Sequence, residues 1–289
     1  MEGFLCIDKP LGPSSFAVTS AVRKRLNLKK TGHVGTLDPM ASGLLVVALG
    51  ESTRLIQYLP SEPKEYLFSI RFGVITDTLD SEGKITNTCD KYPGKEQIED
   101  VLSSFTGEQQ QTPPLFSAVK IAGTPAYKLA RKGKDIALKS RTVTIHSLKL
   151  TGHDFAEHTA DFSLTCSSGT YVRSLARDMA RELGTLGHIV KLRRTGVGVF
   201  SLKDAVDFAG LDNARNYIIS TRNVFGDDVK VTVDEDQKNS LHFGKDIEIP
   251  HGEKELLFAF DTAGYPAAVL RRVENSRYHP DKVFHNATQ

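Results

Sequence analysis

The sequence predicts a mixed α/β fold with a sheet that is antiparallel at least in part, and three observations carry that reading. Segments with the alternation or apolar density of strands recur at residues 3–9, 44–49, 65–73, 142–150 and 161–166. Between residues 172 and 183, Val172, Leu175, Ala176, Met179, Ala180 and Leu183 fall at i, i+3, i+4, i+7, i+8 and i+11, one apolar face of a helix. The strand segments are joined by hairpin-like turns in some places and by helices in others, which points to a mixed α/β fold with an antiparallel sheet at least in part.

Each element follows from local chemistry. GFLCIDK (3–9) is a strand closed by the turn LGPSS, and Ser14 or Ser15 caps a helix that runs to Leu26. LLVVAL (44–49) is a buried strand, and EYLFSIRFG (65–73) alternates as a strand should. GKEQIEDVLSSFTG (94–107) is a short amphipathic helix that ends at a glycine. Residues 112–141 are rich in Pro, Gly and Lys around one helical piece, AYKLARKG, and read as an excursion from the core. TVTIHSLKL (142–150) and DFSLTC (161–166) are strands, and SSG opens the helix at 172. After Phe225 the chain turns polar (GDDVKVTVDEDQKNS), then gives the short apolar segments IEI, LLFAF and AAVL between turns. This predicts a main domain over 1–225 and a small β-rich module over 226–289. At about 60 residues, such a module is marginal alone and is expected to pack against the main body.

The chain of 289 residues, 39% apolar, can bury a real core, and its 25% charged residues are ordinary for a globular protein. Its longest apolar run is far too short to span a bilayer. MEGFLCIDKP has neither a basic region nor an extended apolar stretch, so no signal peptide is expected. Cys6, Cys89 and Cys166 are far apart and odd in number, which predicts reduced thiols and a cytoplasmic location. There is no GxxxxGK[ST] loop, no CxxC and no HExxH, and the nine histidines lack ligand spacing.

The net charge of +2 conceals uneven patterning. Residues 23–30 carry five cations and no anion. Residues 120–141 hold seven Lys/Arg against one acid, and 171–194 hold six against two. Residues 77–108 reverse the balance, with eight acids against three lysines. Any one basic run is most simply a solvated face; three together point to a polyanion, and so to nucleic acid.

Within GHVGTLDPMASG (32–43) the only acid is Asp38. Asp-Pro by itself favours a helix start, with Asp as cap and Pro in the first turn. A residue before proline is also held extended, which fixes the angle of its carboxylate. Arg173, in the first turn of the 172–183 helix, opposes the helix dipole and so calls for an anionic partner, either a carboxylate or a phosphate. Arg177 and Arg181 follow at i+4 spacing and need no such partner. Tyr66 lies in an apolar strand, where a core role and a base-stacking role are both open.

With these residues in view, the chain resembles the bacterial TruB-type tRNA pseudouridine synthases, which act on the T-loop uridine at tRNA position 55. The resemblance spans nearly all of residues 3–202 through DKPLGPSSF (8–16), GHVGTLDPMASGLL (32–45), KEYLFSIRFGVITDTLDSEG (64–83), QTPPLFSAVKIAG (111–123), CSSGTYVRSLARDM (166–179) and LRRTGVG (192–198), six segments in order. It implies a pseudouridine-synthase domain with a large, mainly antiparallel sheet flanked by helices. It makes residues 112–141 a mobile RNA-binding thumb, with Lys120, Lys128, Arg131 and Lys132 on the RNA. It implies a PUA-like RNA-binding domain at 226–289. It implies that Asp38 is the catalytic aspartate, that Tyr66 stacks on the target base, and that Arg173 pairs with Asp38. Tyr171 lies near the same carboxylate. His33 fills the space left by the flipped nucleotide, Leu192 lines the base pocket, and Lys9 and Pro10 support the tyrosine.

The implied reaction breaks N1–C1′, turns the uracil and joins C5 to C1′. No atom is gained or lost, so no metal, nucleotide or redox cofactor is required. The base must be flipped out at a cost of roughly a few kcal/mol. Asp38 has three routes open: attack on C1′ as in retaining glycosidases, removal of the 2′ proton to give a glycal, or addition to C6. The partner expected is the tRNA T arm, with the protein a monomer that needs no protein partner or membrane. Assistance to tRNA folding fits beside catalysis, because flipping a T-loop base opens contacts that must re-form. Rival readings are an enzyme for another RNA uridine, an RNA-folding module whose chemistry is incidental, and a glycoside hydrolase. The last lacks a second, partnered carboxylate in the Asp38 segment.

Overall fold

The computed structural model describes residues 1–133, 136–250 and 252–284. Lys134 and Asp135 of the basic excursion, and His251 and residues 285–289 of the C-terminal module, lie outside the described residues.

Ten strands form the main sheet. They are β1 (Gly3–Lys9), β2 (Thr31–Val34), β3 (Ser42–Leu49), β4 (Lys64–Phe72), β5 (Gly107–Gln111), β6 (Arg141–Asp154), β7 (Thr159–Cys166), β8 (Gly187–Val197), β9 (Phe200–Ser201) and β10 (Val206–Asp207). The spatial order is β10-β1-β3-β8-β4-β7-β6-β5, with β2 on β3 and β9 on β8. Only β1–β10 and β3–β8 pair in parallel; the remaining pairs of this sheet are antiparallel. The strand segments read from sequence are all present, and β6 and β7 extend beyond them into one long hairpin.

Four helices accompany this sheet: α1 (Ser15–Arg25), α2 (Lys95–Leu102), α3 (Ala126–Ala130) and α4 (Val172–Glu182). Ser14 caps α1, accepting from the Ala17 amide. The apolar face of α4 buries Val172, Leu175, Ala176, Met179 and Ala180 against Tyr66, Phe68, Ile70 and Leu192 of β4 and β8. That packing sets the first turn of α4 directly over the centre of the sheet.

Asp38-Pro39 does not start a helix. The Ala41 amide donates to the Asp38 carbonyl, 3.1 Å, closing a turn that enters β3 at Ser42. Proline presets the second residue of a turn as well as it presets a helix, and the pull of a fully apolar strand three residues later decides between the two. In the polar stretch after Phe225, the sequence reading marked no helix, yet α5 (Glu235–His242) forms there. Asp234 and Gln237 make a reciprocal capping box. The D-x-x-Q signal was legible, but its helix lacks an apolar stripe.

The C-terminal module is a five-stranded sheet of β11 (Lys230–Thr232), β12 (Ile247–Glu248), β13 (Leu256–Phe260), β14 (Pro266–Glu274) and β15 (Arg277–Val283), ordered β11-β13-β14-β15-β12. Its Phe258, Phe260, Val269 and Phe284 share one apolar cluster with Phe4, Cys6, Leu44 and Val46 of the main sheet. Phe225 stacks on Phe258 at 3.7 Å across that seam.

Gly43 holds the β3–β8 crossing. Its φ is +96°, and a Cβ there would collide with the backbone carbonyl of Arg194. Gly43→Ala is therefore expected to lose about 2 kcal/mol or more of stability, read as a fall in the thermal midpoint.

Candidate active site

Loops at one end of the main sheet enclose a cleft of about 730 Å³. Asp38, Tyr66, Arg173, His33, Tyr171 and Leu192 all line it. Residues separated by as many as 159 positions in sequence, His33 and Leu192, thus meet at one opening.

The Asp38 turn is strapped from below by the first motif. Ser15 binds Leu37 twice: its hydroxyl donates to the Leu37 carbonyl and accepts from the Leu37 amide, each at 2.8 Å. The Gly12 amide donates to the Pro39 carbonyl, 2.9 Å. The Lys9 side chain is fully buried, and its ammonium donates to the carbonyls of Pro10 and Pro13 at 2.9 Å and of Pro39 at 3.4 Å. Lys9 and Pro10 therefore brace the aspartate's turn, where the resemblance had assigned them to the tyrosine. Pro10 itself is exposed and contributes its carbonyl. Burial is the main reason that the Lys9 amine is pushed down to about 8, with Asp38 and Glu82 opposing the shift.

Asp38 meets Arg173 at 2.8 Å. The arginine side chain is 4% exposed and the aspartate 38%. The cation that opposes the α4 dipole thus has its partner, and it has a second: Asp80 lies 3.4 Å from the other guanidinium nitrogen and is 6% exposed. Arg173 also donates to the carbonyls of Thr78, 2.8 Å, and Phe116, 3.0 Å. Asp80 is oriented in turn by the Thr78 hydroxyl and by the Glu82 amide at 3.1 Å. The sequence reading missed Asp80, because nothing in the acidic run distinguishes it from Asp77 and Glu82. Only the turn that buries it does so.

Tyr66 is 7% exposed and packs beside Phe68 and Leu192 at the cleft floor. Burial raises the pKa of its phenol, while the Arg194 guanidinium beside it pulls the other way. Arg194 is wholly buried and donates to the carbonyls of Leu44, 2.9 Å, and Gly35, 3.0 Å. It links Tyr66 to the loop that carries Asp38, and it too was missed. On the opposite side, His33 lies within 3.4 Å of Thr19 and 3.1 Å of Thr36. Its pKa is lowered, first by burial and then by Arg194, so the ring is neutral at pH 7.

The thumb root is fastened to the start of α4. Gln111 pairs with the Tyr171 backbone through both its carbonyl, 2.8 Å, and its amide, 3.2 Å. Ser174 and Arg177 both donate to the Thr112 carbonyl. Further out, Arg131 lies 5.7 Å over the Tyr127 ring, and both line the cleft. Lys120, Lys128 and Lys132 are exposed on the same excursion and do not line it.

Among the described residues no cluster of His, Cys, Asp and Glu has the geometry to hold a metal ion, and no helix is long and apolar enough to cross a membrane.

The architecture is that of a pseudouridine synthase. A chain of a Cbf5-Nop10-Gar1 complex superposes with a TM-score of 0.73 over 98% of this chain and 85% of that one, at 24% identity. A chain of the archaeal box H/ACA sRNP Nop10-Cbf5 complex does so with a TM-score of 0.73 over 99% and 87%, at 23% identity. Sequence narrows the class. Residues 23–172 match the N-terminal domain of the TruB family of pseudouridylate synthases, and residues 173–223 match the tRNA pseudouridylate synthase B C-terminal domain. The tRNA pseudouridine synthase B of Caulobacter sp. (strain K31) is 44% identical over 74% of this chain and 68% of its own length. That of Aquifex aeolicus (strain VF5) is 39% identical over 96% and 94%. The chain belongs to the TruB family of pseudouridylate synthases, which are isomerases.

The Arg173–Asp80 pair is buried at both ends, but without Asp80 the guanidinium still keeps Asp38 and two carbonyls. Asp80→Ala is expected to cost about 1–3 kcal/mol of stability, whereas Arg181→Ala, on the exposed face of α4, changes it by less than about 0.5 kcal/mol. Urea unfolding of the two variants makes the comparison.

Proposed function

We propose that this protein converts the uridine at position 55 in the T loop of tRNA to pseudouridine, with Asp38 as the catalytic carboxylate. The observation that carries the reading is the Asp38–Arg173 ion pair in a cleft whose floor is Tyr66. Membership of the TruB family and the likeness to relatives named tRNA pseudouridine synthase B supply the reaction and the substrate class.

The geometry suits each requirement of the chemistry. A nucleophile or base must be held at a fixed position, and a guanidinium at 2.8 Å holds the Asp38 carboxylate in place. Asp38 keeps 38% of its side chain exposed, so it faces an incoming ribose while Arg173 stays buried behind it. A flipped uracil finds an aromatic ring and an apolar wall in Tyr66 and Leu192. Neutral His33 stands at the rim, at the place where a displaced base leaves a gap, and it does so without the cost of burying a second charge. After C5–C1′ bond formation, C5 must lose its proton, and the Tyr66 hydroxyl is the base assigned to that step. Burial raises the pKa of its phenol, and the Arg194 guanidinium beside it offsets part of that rise. Arg131, with Lys120, Lys128 and Lys132, gives the thumb its charge toward the tRNA backbone. The 226–289 module takes the PUA-like RNA-binding role, and re-forming the T-loop contacts after release gives the protein a part in tRNA folding.

The test uses a tRNA transcript labelled with tritium at uridine C5, because the product has the same mass as the substrate. Wild type is expected to release about one equivalent of tritium per tRNA without added metal or nucleotide. Asp38→Asn should release none while still binding tRNA. Full release by Asp38→Asn rejects the role of that carboxylate, and no release by wild type rejects the substrate. Tyr66→Phe should bind tRNA and stall before tritium is lost. Arg131→Ala should raise KM and reduce the slope of log Kd against log[salt] by up to about 0.9, leaving kcat close to wild type.

A further inference from the structure

The wall of the cleft that carries Tyr66 holds positive charge that the chain does not balance. Lys64 stands two residues before Tyr66 on β4, so strand alternation turns both side chains to one face, roughly 7 Å apart. Both line the cleft. Lys64 Nζ and Arg194 Nη1 converge on Gly35, where a Cβ would lie 3.3 Å from the ammonium and 3.4 Å from the guanidinium nitrogen. Gly35 has φ +70° and so meets the steric need in both respects. Arg141 joins them from β6, lying 4.6 Å over the Tyr171 ring and donating to the Gly169 carbonyl.

None of these three cations makes an ion pair among the described residues, in contrast to Arg173 across the cleft, which makes two. Arg141 Nε and Arg194 Nη1 are buried without an acceptor at hydrogen-bond geometry. Glu62, the acid that offsets part of the charge around Lys64, already accepts from the Ser168 amide at 2.8 Å. Burial, then Arg194 and more weakly Arg141, holds the Lys64 amine below its ordinary value. The fold thus keeps an ammonium at the pocket edge, at a cost, with no carboxylate at ion-pair distance among the described residues. Charges held in this way are complementary to an anion that arrives with the ligand.

We infer that Lys64, backed by Arg194 and flanked by Arg141, is the site of an RNA phosphodiester adjacent to the uridine that enters the Tyr66 pocket. The inference rests on the reading of this cleft as a uridine site. A base seated on Tyr66 carries its own backbone phosphates within the reach that separates Tyr66 from Lys64. Lysine serves phosphate well as a point charge that needs no fixed approach direction. The contact fixes the backbone beside the flipped base and leaves the chemistry to Asp38, in the way phosphate contacts position and do not specify. Lys64 is a positioning residue on this account.

The experiment uses the full chain and a T-arm RNA in which one phosphate at a time, on either side of the target uridine, is a neutral methylphosphonate. For wild type, one of the two substitutions is expected to weaken binding about tenfold, the loss typical of one charge-assisted contact. For Lys64→Ala, binding of the unmodified RNA falls by a similar factor, the same methylphosphonate costs nothing further, and the salt slope drops by about 0.7 to 0.9. Equal binding of all three RNAs by wild type overturns the proposal, and this arm needs no variant to fold. A wild-type salt slope in Lys64→Ala overturns it as well. Failure of the underlying function has a separate signature: wild type would release no tritium from C5-labelled tRNA, whatever the methylphosphonates do.

Discussion

The guanidinium of Arg173 is the point on which this site depends. It enters the first turn of α4 against the helix dipole, and it is almost wholly buried. Such a charge is tolerable only with anions close by. Asp38 and Asp80 meet that need from two loops, and the carbonyls of Thr78 and Phe116 accept from the same guanidinium. One side chain therefore gathers the 32–43 turn, the 77–83 turn, the thumb root and α4. A carboxylate on a turn would otherwise be free to wander. Here its position follows from the cost of leaving Arg173 unpaired.

The rest of the architecture fixes the two partners from outside. The apolar face of α4 packs onto β4 and β8, which sets Arg173 over the sheet. The strap from Lys9, Gly12 and Ser15 sets the Asp38 turn by direct bonds to Leu37 and Pro39. Buried Arg194 then joins that turn to Tyr66 across the β3–β8 crossing. The cleft is stiff on its floor for these reasons. Its outer rim, formed by Tyr127 and Arg131 of the thumb, is bound to the body through the root residues Gln111, Thr112 and Phe116. Any movement of the thumb root is felt at Arg173, because the Phe116 carbonyl and the Asp38 carboxylate share one guanidinium nitrogen.

Charge is divided across the cleft in a way that suits a nucleotide. One wall neutralises its cation with two carboxylates and presents Asp38. Lys64 and Arg141 also line the cleft, with Arg194 buried behind Lys64, and none of the three makes an ion pair among the described residues. An anion entering the cleft meets positive charge that no ion pair among the described residues offsets.

Much of this was legible in the chain itself. Periodicity determined the strands and the α4 face, because a 2.0 or 3.6 repeat of apolar residues has few ways to be buried. The dipole argument marked Arg173 as a cation in need of a partner, and six motifs in order carried the family. What the sequence could not settle was set by contacts distant along the chain. Whether Asp38-Pro39 opens a helix or a turn was decided by where β3 must begin. That Lys9 braces Asp38 was decided by the folding of residues 9–13 beneath residues 37–39. Asp80 looked like one solvated acid among eight until a turn buried it against Arg173. Lys64 looked like any surface lysine until Gly35 and Arg194 closed around it. Local pattern determines elements, because it acts through neighbours in sequence. Burial and charge pairing determine sites, because desolvation depends on what the whole fold brings together.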